Sequence, residues 1–284
     1  MTYTKPKAIS LFSGIGAFDL GVSLAGFNII AQAETDTYCR KVLARHAPAH
    51  WADAVQFVDV SEVTRNAIAD QDVALIFGGF PCQPFSLRGV RKGGSDSKNG
   101  WPAMRDAISD MRPRRVLLEN VPGITQAYTL EGEIQPAYAL TVIADLAAMG
   151  YDAQWGVISA RDAGAAHERK RWWLVAHTNG QRQDEFKKIR YQSQLTARSA
   201  AQKRLQKVFE SRLGRATNAI ANGLDITRRP ACQGEDQHNW EAPRTTPSIA
   251  AHSRKRIKAL GNSGMWQIVY TLAVEIRKTL EAAS

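Results

Sequence analysis

The stretch "GGFPCQPFS", Gly78 to Ser86, sets Cys82 between Pro81 and Pro84 at the end of the apolar run "DVALIF". The chemistry open to such a residue is nucleophilic attack by a thiolate. An ordinary thiol is only about 3% ionised at pH 7, and lowering its pKa to about 7 is worth roughly 2 kcal/mol. The two prolines fix φ and remove backbone donors, so the chain there aims a side chain. The segment "RKGGSDSKNG" follows, glycine-rich and charged, as a mobile lid over a site would be. In "LLENVPG", Glu119 ends a second apolar run, where a buried carboxyl can stay protonated and donate a hydrogen bond. In "HERKRWWLVA", Arg169 and Arg171 stand two apart, a spacing that turns both to one face of an extended chain and suits a carbonyl or a phosphate. Each has an ordinary counterpart: an inert half-buried cysteine, an acid capping a turn, a basic strand edge.

A second constellation is "LFSGIGAFDLG", Leu11 to Gly21. Gly14 and Gly16 allow a tight turn and close backbone approach to a ligand before a helix begins. Asp19 stands where a dinucleotide fingerprint needs its third glycine, and no Gly-Lys-Ser/Thr phosphate loop is present, so the loop suits a nucleoside without a phosphate chain. Glu34, about 20 residues beyond Gly14, is placed to accept ribose hydroxyls, and Asp59, ending the third strand candidate, to hold an adenine amine. S-adenosylmethionine fits these positions better than a nicotinamide cofactor.

These residues sit at the ends of predicted strands: Ala8 to Phe12, Phe27 to Ala33, Gln56 to Val60, Asp72 to Phe77, Arg115 to Glu119, Tyr151 to Ser159 and Arg171 to Ala176. Helical patterns such as "IQPAYALTVIADLAAMG" lie between several of them. The expected fold is α/β: a mostly parallel sheet with helices on both faces and ligands at the carboxyl ends of the strands. After Ala176 the pattern gives way to polar, basic and proline-punctuated sequence. Amphipathic helix returns in "SGMWQIVYTLAVEIRKTLEAAS", with Ile268, Leu272, Ile276 and Leu280 on one face.

The 284 residues carry a formal net charge of +10, and Thr178 to Leu260 holds 17 Lys and Arg against 7 Asp and Glu, so the rest of the chain is balanced. A neutral body with one basic segment is the form expected of a polyanion binder, or of a solvated insertion. The three cysteines, Cys39, Cys82 and Cys232, are far apart with no Cys-x-x-Cys pair, which argues against a disulfide framework and a zinc site. The absence of a long apolar run or a signal-peptide core sets the expectation of a cytoplasmic protein without a membrane partner.

The segments "LFSGIGAFDLG", "GGFPCQPFS", "LLENVPG", "HERKRWWLVA" and "LGNSGMWQIV" together resemble, in order, the DNA (cytosine-5) methyltransferases of bacterial and phage type. The resemblance covers about Ala8 to Ala176 and the end of the chain from about Ala259. It implies a Rossmann-like S-adenosylmethionine-dependent fold: a catalytic domain over residues 1–177, a small target-recognition domain over 178–258, and a carboxyl-terminal helix over 259–284 returning to the first. It implies Cys82 as the nucleophile toward a flipped-out cytosine in duplex DNA, with Glu119, Arg169 and Arg171 as its catalytic companions. It places the cofactor, without a metal, on Phe12, Ser13, Gly14, Gly16, Phe18, Glu34, Asp59, Val60, Pro81, Asn262 and Ser263. A monomer is expected, with a cognate restriction endonuclease as a partner in function only. Ala17 and His167 depart from the glycine and glutamine usual at those places. Two other readings stay open: methylation of cytosine in transfer RNA, and a catalytically silent DNA-binding relative.

Overall fold

The structure is a computed structural model that describes residues 4–68, 72–81, 99–130, 133–163, 168–178 and 253–282. Cys82, the expected lid, His167, Cys232 and the basic segment up to residue 252 lie outside the described residues. The chain divides into two units: Met1–Ile158, Arg171–Arg182 and Arg254–Ser284 form the first, and Ser159–Lys170 with Gln183–Ser253 the second.

The strands are β1 (Lys7–Leu11), β2 (Asn28–Ala33), β3 (Val55–Phe57), β4 (Val73–Gly79), β5 (Arg115–Asn120), β6 (Tyr128–Leu130), β7 (Glu133–Gln135), β8 (Tyr151–Ser159) and β9 (Lys170–Thr178). The helices are α1 (Ala17–Leu24), α2 (Thr37–His50), α3 (Trp101–Met111), α4 (Tyr138–Ala148), α5 (Ser253–Asn262) and α6 (Trp266–Glu281). Seven strands form one sheet in the order β3-β2-β1-β4-β5-β9-β8, and β6 and β7 make a separate antiparallel pair. The pairs from β3 through β5 are parallel, whereas β9 runs antiparallel to β5. The chain builds outward from β1 to β3, then crosses back to lay β4 on the other side of β1. That reversal opens a crevice at the carboxyl ends of β1 and β4, where open α/β sheets bind ligands.

Side chains alternate across the sheet with period two, and both faces of the central strands β1, β4 and β5 are buried. Ile9, Leu11, Ile76, Val116, Leu118, Trp172 and Leu174 pack with Trp101, Met104 and Ile108 of α3 and with Val142 and Leu146 of α4. On the opposite face Phe18 of α1 meets Trp173 of β9, ring centroids 5.5 Å apart, and α6 packs along α1. Gly21 makes that helix contact close, since a Cβ there would stand 2.6 Å from the carbonyl oxygen of Trp266. Ile268, Leu272, Ile276 and Leu280 of α6 are all buried, the stripe their spacing predicts.

Three local differences from expectation have physical reasons. Phe12 is not the last residue of β1 but turns out of the strand with φ of 55°, opening the glycine loop. Strand β3 stops at Phe57, and Asp59 caps a short 3-10 turn over Val60–Glu62, its Oδ1 accepting from the Ser61 amide at 2.8 Å. Gly132 follows Glu131 between β6 and β7, and Pro136 starts a break before α4, so a stretch expected to be helical from Ile134 begins as a strand.

Candidate active site

The carboxyl ends of β1, β4 and β5 and the turn between α5 and α6 border a small open hollow of about 50 Å³. Seven of the expected residues line it: Phe12, Ser13, Gly14, Phe18, Glu119, Asn262 and Ser263. Ile15, Ala17, Gly79 and Gly264 line it as well. Of these, Gly79 had a legible signal, the Gly-Gly pair at the end of an apolar run. Gly264 had none, because its value lies in a contact distant in sequence: a Cβ there would collide with the ring of Phe18.

The glycine loop is shaped by its own backbone. Gly14 and Gly16 have φ of 58° and 85°, the left-handed region that glycine enters without steric cost. Space around Gly14 is open, with nothing within 4 Å of a notional Cβ. Its amide donates to Glu34 Oε2 at 2.7 Å, while Glu34 Oε1 accepts from the Asp36 amide at 2.7 Å. Glu34 therefore ties the loop after β1 to the end of β2, and each of its oxygens keeps a further lone pair for a ligand hydroxyl. Gly16 supports the loop from below, against Trp51 and Leu43, rather than lining the hollow. Asp59 and Val60 do not line it, and Asp59 spends one oxygen on Ser61.

Across the crevice, β4 and β5 are register partners at Gly79 and Glu119. The Glu119 carboxylate lies over Gly79, where a Cβ would stand 2.7 Å from Oε2. Its other oxygen, Oε1, is held by Arg171 Nε at 2.8 Å, and both side chains are largely buried. Arg171 comes from the second position of β9, the antiparallel strand, which is how an arginine late in the chain reaches the acid of β5. Arg169 precedes the strand, in the second unit, where its carbonyl accepts from the Ala160 amide at 3.2 Å.

Two hydrogen bonds fix the chain just before Cys82. Asn120 Nδ2 donates to the Phe80 carbonyl at 3.0 Å, and the Gly100 amide donates to the Pro81 carbonyl at 3.0 Å. A Cβ on Gly100 would meet Pro81 and Phe12, so this closure needs glycine. Trp101 then anchors the start of α3, its indole Nε1 donating to Asp145 Oδ2 at 2.7 Å and its ring packing on Phe80.

Cys39 offers no competing chemistry. It is a free, buried thiol on α2, and burial, with Glu34 and Asp36 nearby, pushes its pKa to about 12. Among the described residues no three His, Cys, Asp or Glu side chains gather as a metal site, and no helix is long and apolar enough to cross a membrane.

The site gathers polar and backbone groups around the hollow. Glycine amides, an open space at Gly14 and a carboxylate at Glu34 stand on one side, and Asn262 and Ser263 on the other. Comparison with known proteins finds relatives among Type II and orphan methyltransferases. The Type II methyltransferase M.AplI of Arthrospira platensis is 30% identical over 171 residues, covering 60% of this chain and 45% of that one. M.MthTI of Methanothermobacter thermautotrophicus is 31% identical over 170 residues, 59% and 48% respectively. The orphan methyltransferase M.Rho11sI of Bacillus phage rho11s is 34% identical over 125 residues, 43% and 24%. The chain thus spans less than half the length of these relatives. The sequence model described as C-5 cytosine-specific DNA methylase matches residues 6–273, nearly the whole chain. With the glycine loop, the Glu119–Arg171 pair and this match in hand, the chain belongs to the C-5 cytosine-specific DNA methylase family.

Proposed function

We propose that this protein methylates carbon-5 of a cytosine in duplex DNA through a covalent adduct with Cys82. The observation that carries the reading is Glu119, fixed by Arg171 at 2.8 Å, over Gly79, on the hollow that the glycine loop borders. The target base is swung out of the duplex, since its ring cannot be reached in the stack. Cys82 Sγ, as thiolate, forms a bond to carbon-6 while the electron pair of the carbon-5–carbon-6 double bond moves into the ring. Glu119 absorbs that charge: Arg171 holds Oε1, and Oε2 carries the proton given to ring nitrogen-3. Carbon-5, now nucleophilic, gains the methyl group; a water molecule then takes its proton, the electrons of that C–H bond re-form the double bond as the bond to Sγ breaks, and the thiolate departs with the nitrogen-3 proton returning to Glu119.

S-adenosylmethionine supplies the methyl group as an electrophile when bound. The chain's part in that step is to seat the donor: Glu34 takes the ribose hydroxyls, Phe12 and Phe18 flank the rings, and the Gly14 loop with Asn262 and Ser263 holds the tail. Arg169 binds the base carbonyl or the flanking phosphate. Residues 178–258, with their basic excess, supply target recognition.

The test is methyl transfer to duplex DNA followed by bisulfite sequencing. Methylated cytosines within one sequence motif are expected, and unmethylated DNA with folded, donor-loaded protein would refute the reading. Cys82→Ser should abolish transfer while leaving DNA binding. A duplex with 5-fluorocytosine at the target should trap the wild type alone as a covalent adduct. Methylation of transfer RNA in place of duplex DNA would reassign the substrate.

A further inference from the structure

A polar row crosses the sheet beneath the glycine loop, on a face that is otherwise apolar. Ser10 of β1, Gln32 of β2 and Gln56 of β3 are register partners in line. Ser10 and Gln32 are fully buried, as is Asp19 of α1, which lies over them. Gln56 Nε2 donates to Gln32 Oε1, and Gln32 Nε2 donates to Asp19 Oδ1. At the other end Ser13, which lines the hollow, donates through Oγ to Ser10 Oγ at 2.9 Å. Asp19 Oδ2 is buried without a partner in good hydrogen-bond geometry, though the Ser10 hydroxyl and the Asp19 amide both bear on the carboxyl. Ala17 and Phe18, the two residues before Asp19, also line the hollow.

A buried carboxyl with an orphaned oxygen is costly, and fold stability alone gives no reason for one here. Of the charged groups around it, Glu34, just beyond the end of β2, acts on Asp19 and opposes its ionisation. Arg40 on α2 is turned to the carbonyls of Glu34 and Thr35, and Lys258 on α5 to Asp36. On α6, Arg277 reaches the Ala25 carbonyl at the far end of α1. The described structure therefore gives the Asp19–Glu34 pair no cation of its own.

We propose that Asp19 is a specificity-determining residue that favours the positively charged sulfonium of the methyl donor over the neutral thioether left after transfer. This rests on the reading that the hollow binds S-adenosylmethionine. Donor and product share the nucleoside, the amino group and the carboxylate, and differ by one methyl and one positive charge. A carboxylate in a low-dielectric site beside the loop lowers the energy of that charge and does nothing for the thioether, which lets the product leave. Burial holds the Asp19 pKa up, at about 6, so the group is ionised at neutral pH and protonated in mild acid. Selection for the donor is therefore present above that value and lost as pH falls through it.

The test is equilibrium binding of S-adenosylmethionine and of S-adenosylhomocysteine by calorimetry, from about pH 5 to about pH 7.5. For the wild type the ratio of product Kd to donor Kd should fall about 10-fold as pH falls, the scale of one charge at moderate distance. Asp19→Asn, which keeps the acceptor for Gln32, should give a low ratio that does not vary with pH. Wild-type donor binding near pH 6, measured in two buffers of different ionisation enthalpy, should release protons, and product binding should not. This last readout stands even if the variant fails to fold. Equal proton release for both ligands, or a pH-independent ratio in the wild type, would overturn the proposal and leave the cofactor reading intact. A folded wild type that binds neither ligand would overturn both.

Discussion

In the proposed mechanism the two oxygens of Glu119 have different tasks, which single substitutions separate. Glu119→Gln keeps the shape but removes the proton relay, and should slow single-turnover methyl transfer by at least about 100-fold while leaving donor affinity within about 2-fold. Gly79→Ala reaches the same acid from behind: its Cβ meets Oε2, so transfer should fall by about 10-fold or more with donor affinity again preserved, as equilibrium titration would show. Asp19 makes a stability prediction separate from its ligand preference. Its pKa is raised from 3.8 to about 6, so the folded state binds the proton more tightly than the unfolded state does. Its contribution is therefore fully present below about pH 4 and lost as pH rises through 6, up to about 3 kcal/mol in all. Urea unfolding of the wild type minus that of Asp19→Asn should trace this slope, and a flat difference would refute it. The place of Glu119 at the end of β5 was legible in the sequence because its surroundings are local, an acid closing an apolar run. The bond from Arg171 to Glu119 was not, since it depends on an antiparallel strand placed beside β5. Asp19 was read only as a missing glycine, because its burial comes from Ser10 and Gln32, which are distant in sequence.

At the scale of elements, the pairing of α1 with α6 turns on Gly21. Glycine to alanine within a helix ordinarily stabilises by roughly 0.5–1 kcal/mol. Gly21→Ala should do the opposite, destabilising by about 1–3 kcal/mol in chemical unfolding, because its Cβ meets the Trp266 carbonyl oxygen and the Tyr270 amide. Gly156→Ala on β8, with nothing within 4 Å, is the matched control and should not destabilise. All seven strands of the main sheet are present in the order the apolar runs indicate, as is the buried stripe of α6. Hydrophobic periodicity carries that much. The β6–β7 hairpin escaped because three-residue strands such as "YTL" are too short to display a period. Phe12 escaped because a positive φ at a non-glycine residue is imposed by the loop around it and leaves no compositional trace.

For the whole molecule, the charge distribution carries a prediction of its own. If the basic excess between Thr178 and Leu260 meets phosphate, affinity for duplex DNA should fall at least about 100-fold between about 50 and about 200 mM salt. Donor affinity should hardly respond, which filter binding and calorimetry on one preparation would separate. The fold follows from the alternation of strands and helices. The reversal at β1 that makes the crevice does not, because strand order is a property of the assembled sheet and several orders are compatible with the same elements. The hydrogen bond from the Gly100 amide to the Pro81 carbonyl has a consequence for how such a protein can evolve. It joins the two ends of the sequence that begins with Cys82, so residues can be gained, lost or exchanged within that interval without shifting β4 or α3.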